Sequence, residues 1–177
     1  MVSGSSTPQL ECLSADLTTN AQKIHPYVCL GFKISNAVVY AADVSHIPDT
    51  AWSLLENRSE DWTGPFPVFV CDCLRLQAHT SHFGLGEAIA ASRRLGAIRT
   101  YLTGFGHEVS HDEYVTLGEV AGGRFVSEEA KMSQMTEVER RGIKVIGEGT
   151  PLWVRPAHDG LRVFLSCGGG VRDESYD

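Results

Sequence analysis

The chain has 177 residues, of which 42% are hydrophobic and 21% are charged, which predicts a soluble globular domain with its own core. Its formal net charge of −7 disfavours broad attraction to nucleic acid or to an anionic membrane surface. The apolar runs are too short for a transmembrane helix, and residues 1–8 lack the basic and apolar regions of a signal peptide. We therefore expect neither nucleic acid nor a membrane among the partners.

The cysteine content indicates the compartment. An odd number of cysteines without a secretion signal favours a reducing environment, and so a cytoplasmic location. Cys29 and Cys71 lie inside apolar runs and are predicted to be buried, unpaired thiols. The five cysteines are Cys12, Cys29, Cys71, Cys73 and Cys167.

The predicted elements begin with a hairpin. Mixed apolar runs at Tyr27–Ile34 and residues 37–42 read as strands around a tight Ser35-Asn36 turn. Residues 49–57 have helical spacing, and the continuous apolar run at residues 68–74 is typical of a strand buried on both faces.

The second half continues the alternation of strands and helices. Helix Leu85–Leu95 ends at Gly96, and strand 98–103 completes a unit of the size of a strand–helix–strand crossover. This size favours parallel pairing. The remaining predictions are a helix capped by Ser110 and Glu113, a solvated helix at residues 127–141, and short strands at 152–154 and 161–165. Residues 168–177 are Gly-rich and then charged, which predicts a disordered tail.

Chemically capable side chains follow three predicted strands. Asp43 follows the second strand, His79 and His82 follow the third, and His107 and His111 follow the fourth. A strand-end carboxylate can bridge cations, and a histidine can bind a metal or transfer a proton. Each position also has a purely structural interpretation, as a turn cap, a hydrogen-bonded polar loop or a flexible turn.

Several common site motifs are missing from the sequence. It contains no Gly-rich phosphate loop, no Gly-x-Ser-x-Gly elbow, and no basic stretch interleaved with aromatic residues. These absences leave the strand ends as the candidate sites.

The order of the strand-end segments resembles one family. The segments are LGF, VVYAADVSHIPD, VFVCDCLRLQAHTSHFGLGEAIAASRRLG, RTYLTGFGHEVSHDEY and VRPAHDGL. They are similar to metallo-β-lactamase-fold phosphodiesterases of the phosphoribosyl cyclic phosphate type, and more loosely to tRNA 3′-processing ribonucleases of that fold. The resemblance covers roughly residues 27–165. It implies one α/β domain over residues 1–177, corresponding to the C-terminal half of an αββα sandwich with a mixed sheet and flanking helices.

The resemblance also implies site residues. Family members use a dinuclear zinc or manganese centre to activate water against a phosphodiester. Asp43 matches the bridging aspartate, and His82 matches a catalytic histidine that assists the substrate or the leaving group. His25 matches a ligand histidine that precedes the LGF strand, and His107 matches a second, downstream histidine of the family motif. Asp72 and Arg75 are interpreted as structural support, and Asp159 and Gly160 as a turn near the site.

The sequence departs from the family pattern in its ligands. The family's HxHxDH motif, which supplies most ligands, does not occur in the chain. Gly104 stands where the family has the ligand histidine of a Leu-Thr-His motif. A catalytic mononuclear zinc keeps three protein ligands and a dinuclear site needs more, so the chain alone is expected to be incomplete or inactive.

Three hypotheses about function follow. The first is a metal-dependent hydrolase that acts on a small phosphodiester. The alternative is a catalytically degenerate domain that acts as a binding or interaction module, and whose uncovered sheet face leads to self-association or to a partner chain. The third is a new mononuclear site built from His79, His82, His107 and His111.

Overall fold

The computed structural model describes residues 10–17, 27–57, 64–124, 133–166 and 168–177. Among these residues, no helix is long and apolar enough to cross a membrane. Strands β1 to β8 are Leu10–Leu17, Tyr27–Ile34, Val38–Ala41, Val68–Asp72, Arg99–Thr103, Val154–Pro156, Val163–Leu165 and Val171–Asp173. Helices α1 to α4 are Asp49–Glu56, Leu85–Leu95, His111–Ala121 and Glu137–Ile146.

Six strands form one mixed sheet in the order β1-β2-β3-β4-β5-β6. The first three strands are antiparallel neighbours, and β3 to β6 are parallel to one another. Each parallel connection contains at least one helix, as parallel strands require. The predicted α/β fold with a mixed sheet and flanking helices is therefore confirmed.

All four helices contribute to a core on one face of the sheet. Strands β3 to β6 follow one another in the sheet in the order of the chain. Because crossovers between parallel strands are right-handed, the helices that connect them lie on the same side of the sheet. Buried residues of the sheet belong to one apolar cluster with buried residues of every helix. The sheet members include Val39, Phe69, Cys71, Leu102 and Val154, and the helix members include Trp52, Leu55, Ile89, Leu117 and Ile146.

The opposite side of the sheet is called the open face below. Side chains alternate along a strand, and paired residues of neighbouring strands point to the same side. Since Phe32 pairs with Tyr40 and Tyr40 with Val70, these three residues share the open face. The open-face patch consists of Leu30, Phe32, Ile34, Val38, Tyr40 and Val70.

Several predicted elements are confirmed, with some shifts in bounds. The hairpin of β2 and β3 and the burial of Cys29 and Cys71 are as expected. The helix predicted at residues 127–141 differs, because α4 begins after Thr136 and extends to Ile146. Thr136 and Glu139 form a capping box there, which favours a new helix start at this point. Residues 125–132 lie outside the described part.

The C-terminal residues 168–177, for which the composition predicts disorder, are packed in the structure. Their strand β8 pairs with β7, and the carboxylate of Asp173 is buried on the open face beside β5. It accepts hydrogen bonds from the Tyr101 hydroxyl at 2.8 Å and from Arg99 at 2.6 Å. A buried carboxylate with these partners holds the tail against the sheet, which composition alone does not reveal.

The substitution Asp173→Asn is expected to release the tail. Burial alone would raise the pKa of Asp173, but the N–H groups of Tyr176 and Ser175 and the Tyr101 hydroxyl hold it below the ordinary value. Losing the charge weakens these bonds by about 2 kcal/mol. Amide hydrogen exchange at Ser175 and Tyr176 should therefore become faster, because the tail opens locally more often.

The same carboxylate predicts the pH dependence of the tail. Because the pKa of Asp173 is lowered by folding, its stabilisation is present above the unfolded pKa and is lost as the pH falls through the folded pKa, below about pH 4. The D173N variant should not show this acid step. Glu174→Gln, an exposed neighbour, is the matched control, and an equal effect of E174Q on exchange would contradict the assignment.

Candidate functional site

The candidate site lies at the carboxyl ends of the parallel strands. Asp43 lies two residues beyond β3, Asp72 is the last residue of β4, and Gly104 follows β5 directly. Because these strands run parallel in register, their ends meet at the same edge of the sheet. This edge is where ligands bind in open α/β sheets.

Asp72 connects three segments at this edge. Its side chain is fully buried, and its Oδ2 accepts hydrogen bonds from the backbone N–H groups of Val44 at 3.3 Å and Phe83 at 3.1 Å. Burial raises the pKa of the Asp72 carboxyl, although His82 and the two N–H groups act in the opposite direction. Its Oδ1 is buried and has no hydrogen-bond partner.

His82 is held beside this carboxylate. Its Nδ1 lies 3.0 Å from Oδ2 of Asp72 and 3.7 Å from Oδ1 of Asp43. Its backbone carbonyl accepts a hydrogen bond from the N–H of His79 at 3.1 Å, which forms a turn over residues 79–82. When Nδ1–H donates to Asp72, the lone pair of the other ring nitrogen, Nε2, is available to accept a proton or to bind a metal.

Asp43 occupies an unusual backbone conformation. Its φ angle is +53°, in the left-handed region that non-glycine residues rarely adopt. Residues held in this region occur preferentially at functional sites, where the surrounding structure maintains them. The Asp43 side chain is two-thirds exposed, so it forms the solvent side of the cluster while Asp72 forms the buried side.

The donor set fits a single divalent cation. One ligand atom each from Asp43, Asp72 and His82 lie within 4.8 Å of one another, the one such group of acidic, His or Cys side chains among the described residues. Carboxylate oxygens are ligands of zinc and manganese, and the adjacent imidazole can act as a third ligand or as a proton donor. The unpaired, buried Oδ1 of Asp72 agrees with this interpretation.

Only some of the residues expected at the site lie together in the structure. It brings Asp43 and His82 together, and it adds Asp72, which the sequence suggested only as structural support. His107 is exposed on the loop after β5 and is not part of the cluster. His25 lies outside the described residues. The signal that could have identified Asp72 as a candidate ligand is its place at a strand end, the same signal that made Asp43 a candidate.

Gly104 approaches Asp72 closely. A Cβ atom at position 104 would lie 2.6 Å from Oδ1 of Asp72, and the φ angle of Gly104 is +78°. Both features restrict this position to glycine, since a side chain would be strained and would collide with the carboxylate. Position 104 therefore has no side chain that could bind a metal.

The four-histidine site is not assembled. His79 is hydrogen-bonded to the Ser81 hydroxyl at 3.1 Å, and its ring lies 5.7 Å from that of His82. His111 instead contacts the Tyr176 hydroxyl at 3.0 Å. Within the described residues, these histidines form no common metal-binding group with His107.

A second polar cluster, which the sequence did not indicate, lies beyond β6. His158 makes a 2.7 Å hydrogen bond with the Ser175 hydroxyl, and its ring is 6.0 Å from that of His111. The Tyr176 hydroxyl donates to the Pro156 carbonyl at 2.7 Å. Because these contacts depend on the packed tail, a reading of local sequence cannot detect them.

Comparisons with known proteins identify the fold. No protein-family model matches the sequence, and no curated protein is significantly similar to it. A diphosphatase of the PhnP family is 18% identical, with a TM-score of 0.51 over 86% of this chain and 42% of that chain. The metallo-β-lactamase fold protein YhfI from Bacillus subtilis is 18% identical, with a TM-score of 0.50 over 98% of this chain and 55% of that chain.

The matches cover most of this chain but only about half of each neighbour. The sheet order, the helices on one face and the placement of the cluster at the strand ends are all described above. Together these observations confirm the fold that the sequence resemblance implies. The described chain is a half-sandwich of the metallo-β-lactamase fold.

Proposed function

We propose that this chain contributes to a metal-dependent hydrolase of phosphodiesters or diphosphates. The observation that carries the proposal is the group of Asp43, Asp72 and His82 at the carboxyl edge of the sheet. The resemblance to a PhnP-family diphosphatase supports a phosphate-containing substrate. The proposed cation is zinc or manganese.

In this proposal the two carboxylates hold the cation. Asp43 presents its exposed carboxylate, and Asp72 presents the buried Oδ1 that lacks a hydrogen-bond partner. His25, which the sequence resemblance suggests, is the further candidate ligand. When bound, a divalent cation supplies an activated water and offsets negative charge on the phosphate.

His82 is the proposed proton donor. The 3.0 Å contact between its Nδ1 and Asp72 fixes the orientation of the ring and leaves Nε2 to transfer the proton. With both ring nitrogens protonated, Nδ1–H would donate to Asp72 and Nε2–H would protonate the departing oxygen. Its P–O bond would then break without releasing a free alkoxide, as a water oxygen bonds to phosphorus. Asp72 thus both orients the proton donor and contributes a negative charge to the cation site.

The test separates binding from proton transfer. The purified chain is assayed on bis-p-nitrophenyl phosphate with zinc or manganese, and cation binding is measured by calorimetry. His82→Gln should lower kcat by about 100-fold or more for a phosphodiester with an alkoxide leaving group while cation binding persists, and should lower it less for bis-p-nitrophenyl phosphate, whose leaving group needs no proton. Asp43→Asn should abolish both cation binding and turnover. His111→Gln, in the second cluster, is the matched control and should change neither quantity.

Two results would contradict the hydrolase proposal. One is activity that survives Asp43→Asn, and the other is cation binding that is unaffected by this variant. Either result would place the chemistry elsewhere.

A catalytically degenerate binding module is the second candidate, and Gly104 favours it. The close approach of its backbone to Asp72 leaves no space for a ligand side chain at this strand end. The same assay distinguishes the candidates. Absence of cation binding in the unmodified chain would select the degenerate module, whereas cation binding without turnover would fit an incomplete hydrolase.

A further inference from the structure

A cavity of about 490 Å³ opens at the outer edge of β6, the last strand of the sheet. It lies between the C-terminal end of α3 and residues 151–155, beside the amino end of β6. The cluster of Asp43, Asp72 and His82 lies at the opposite, carboxyl edge of the sheet. The volume is within the range of about 300–1,000 Å³ that small-molecule sites occupy. The residues that line the cavity include Glu119, Arg124, Pro151, Leu152, Trp153 and Arg155.

Arg155 lines this cavity as a half-buried cation. One of its N–H groups donates to the Val154 carbonyl at 2.8 Å, and its guanidinium carbon lies 5.2 Å from the ring centroid of Trp153 and 6.0 Å from that of Tyr176. Within the described ranges, no carboxylate forms an ion pair with it. Burial lowers the pKa of Arg155, although Tyr176 and Asp173 act in the opposite direction. A guanidinium has five N–H donors, so most of them remain for a ligand.

The end of α3 does not use these donors. Its last four carbonyl groups already accept hydrogen bonds from backbone N–H groups, at 2.9–3.1 Å. These bonds satisfy oxygens that a helix end otherwise leaves without partners. The pairs of acceptor and donor are Gly118 with Gly122, Glu119 with Arg124, Val120 with Gly123, and Ala121 with Leu152. A ligand with acceptor oxygens would therefore meet donors of Arg155 that the protein leaves unused.

The cavity combines positive charge with an apolar wall. Arg124 forms an ion pair with Glu119, so the two arginines and the one glutamate of the lining leave one positive charge in excess. The chain as a whole carries a formal charge of −7, which makes a local excess of positive charge distinctive. Pro151 and Trp153 supply apolar surface on the same cavity. The lining thus suits a ligand that has both an anionic and an apolar part.

We propose that this cavity binds a small organic anion, with its carboxylate or phosphate group on Arg155 and its apolar or aromatic part against Trp153. The planar guanidinium matches two oxygens of such a group, and a tryptophan ring offers a large apolar contact area. The site lies apart from the metal cluster and does not depend on the proposed hydrolase activity. Because the cavity is open to solvent, we expect a modest affinity, with dissociation constants of about 0.1 to 1 mM.

The test uses the full chain without a divalent cation. The probes are AMP, which joins a phosphate to an aromatic ring system, and benzoate, which joins a carboxylate to one. Binding is followed by the NMR signal of the Trp153 indole N–H, which is identified by its loss in Trp153→Phe. At least one probe should shift this signal to saturation, and the tighter of the two distinguishes a phosphate from a carboxylate ligand. The same affinities are expected in Asp43→Asn, so a failure of the hydrolase proposal would leave them unchanged.

Variants with opposite expected effects locate the anion. Arg155→Gln should weaken binding by at least about 10-fold, because it removes a charged hydrogen-bond donor. Glu119→Gln should tighten binding by about 2- to 5-fold, because it removes a negative charge from the lining. Arg162→Gln is the matched control, since it makes the same substitution at an exposed arginine outside the cavity. Circular dichroism verifies that each variant is folded.

Four outcomes would overturn the proposal. One is a Trp153 signal that neither probe shifts at about 10 mM, well above the expected dissociation constants. Another is adenosine, which lacks the anionic group, binding as tightly as AMP. Equal losses of affinity in R155Q and R162Q would indicate a general effect of charge rather than a site. Weaker binding in E119Q would show that the glutamate assists the ligand instead of repelling it.

Discussion

Replacing Asp72 by alanine is expected to lower the free energy of unfolding by about 3 kcal/mol and to abolish cation binding. The side chain is fully buried, and its removal leaves the N–H groups of Val44 and Phe83 without their acceptor. Each unpaired buried donor costs about 1–3 kcal/mol. His82 also loses the partner that fixes its ring.

The conservative variant separates stability from binding. Asp72→Asn retains an oxygen that can accept from Phe83 or Val44, and burial already penalises the charge that it removes. We expect D72N to cost about 1–3 kcal/mol, because its NH2 group takes the buried Oδ1 position, where no acceptor is available, and still to lose the cation. Denaturant unfolding and calorimetry measure the two effects. Asp49→Ala, at an almost fully exposed carboxylate, is the control. Cation binding retained in D72N would remove Asp72 from the proposed ligands.

Replacing Gly118 by valine should lower the free energy of unfolding by at least about 3 kcal/mol. Gly118 lies on α3, where a Cβ atom would be 2.2 Å from the Val154 carbonyl oxygen and 3.1 Å from its carbon. These are backbone atoms of the parallel strand β6, so they cannot move aside without disturbing the sheet. The helix would have to shift away from β6.

Thermal unfolding measures this effect. A loss of about 3 kcal/mol corresponds to a fall in Tm of roughly 6–12 °C for a domain of this size. Thr116→Val introduces the same β-branched residue into the same helix away from the close contact, and should cost less than about 1 kcal/mol. Equal losses for G118V and T116V would show that valine in the helix, rather than the contact with β6, causes the destabilisation.

Local patterns were sufficient for the elements with strong end signals. Helix Leu85–Leu95 has its predicted bounds because Gly96 adopts the left-handed conformation that ends a helix, with φ +66°. The Ser110–Glu113 capping box begins α3 as predicted. In both cases the signal is carried by residues within a few positions of the helix end, so it does not depend on the rest of the fold.

Other elements depend on distant partners. Strand β1 was not predicted, and it is defined by eight antiparallel pairs with β2. Strand β8 exists because residues 171–173 pair with β7, and its neighbour Arg99 is 74 residues away from Asp173 in the chain. Strands have weak intrinsic preferences, so pairing with distant partners supplies much of their stability.

By itself, the sequence determined the alternation of strands and helices, the fold it resembles, and the placement of Asp43 and His82 after strands. Only the tertiary structure decided that Asp72 joins them, that Gly104 closes one side of that carboxylate, and that apolar side chains of β2 and β3 are exposed on the open face. The reason is physical. Secondary structure follows from local periodicity and caps, whereas contacts between side chains depend on strand register and on how each loop returns to the sheet.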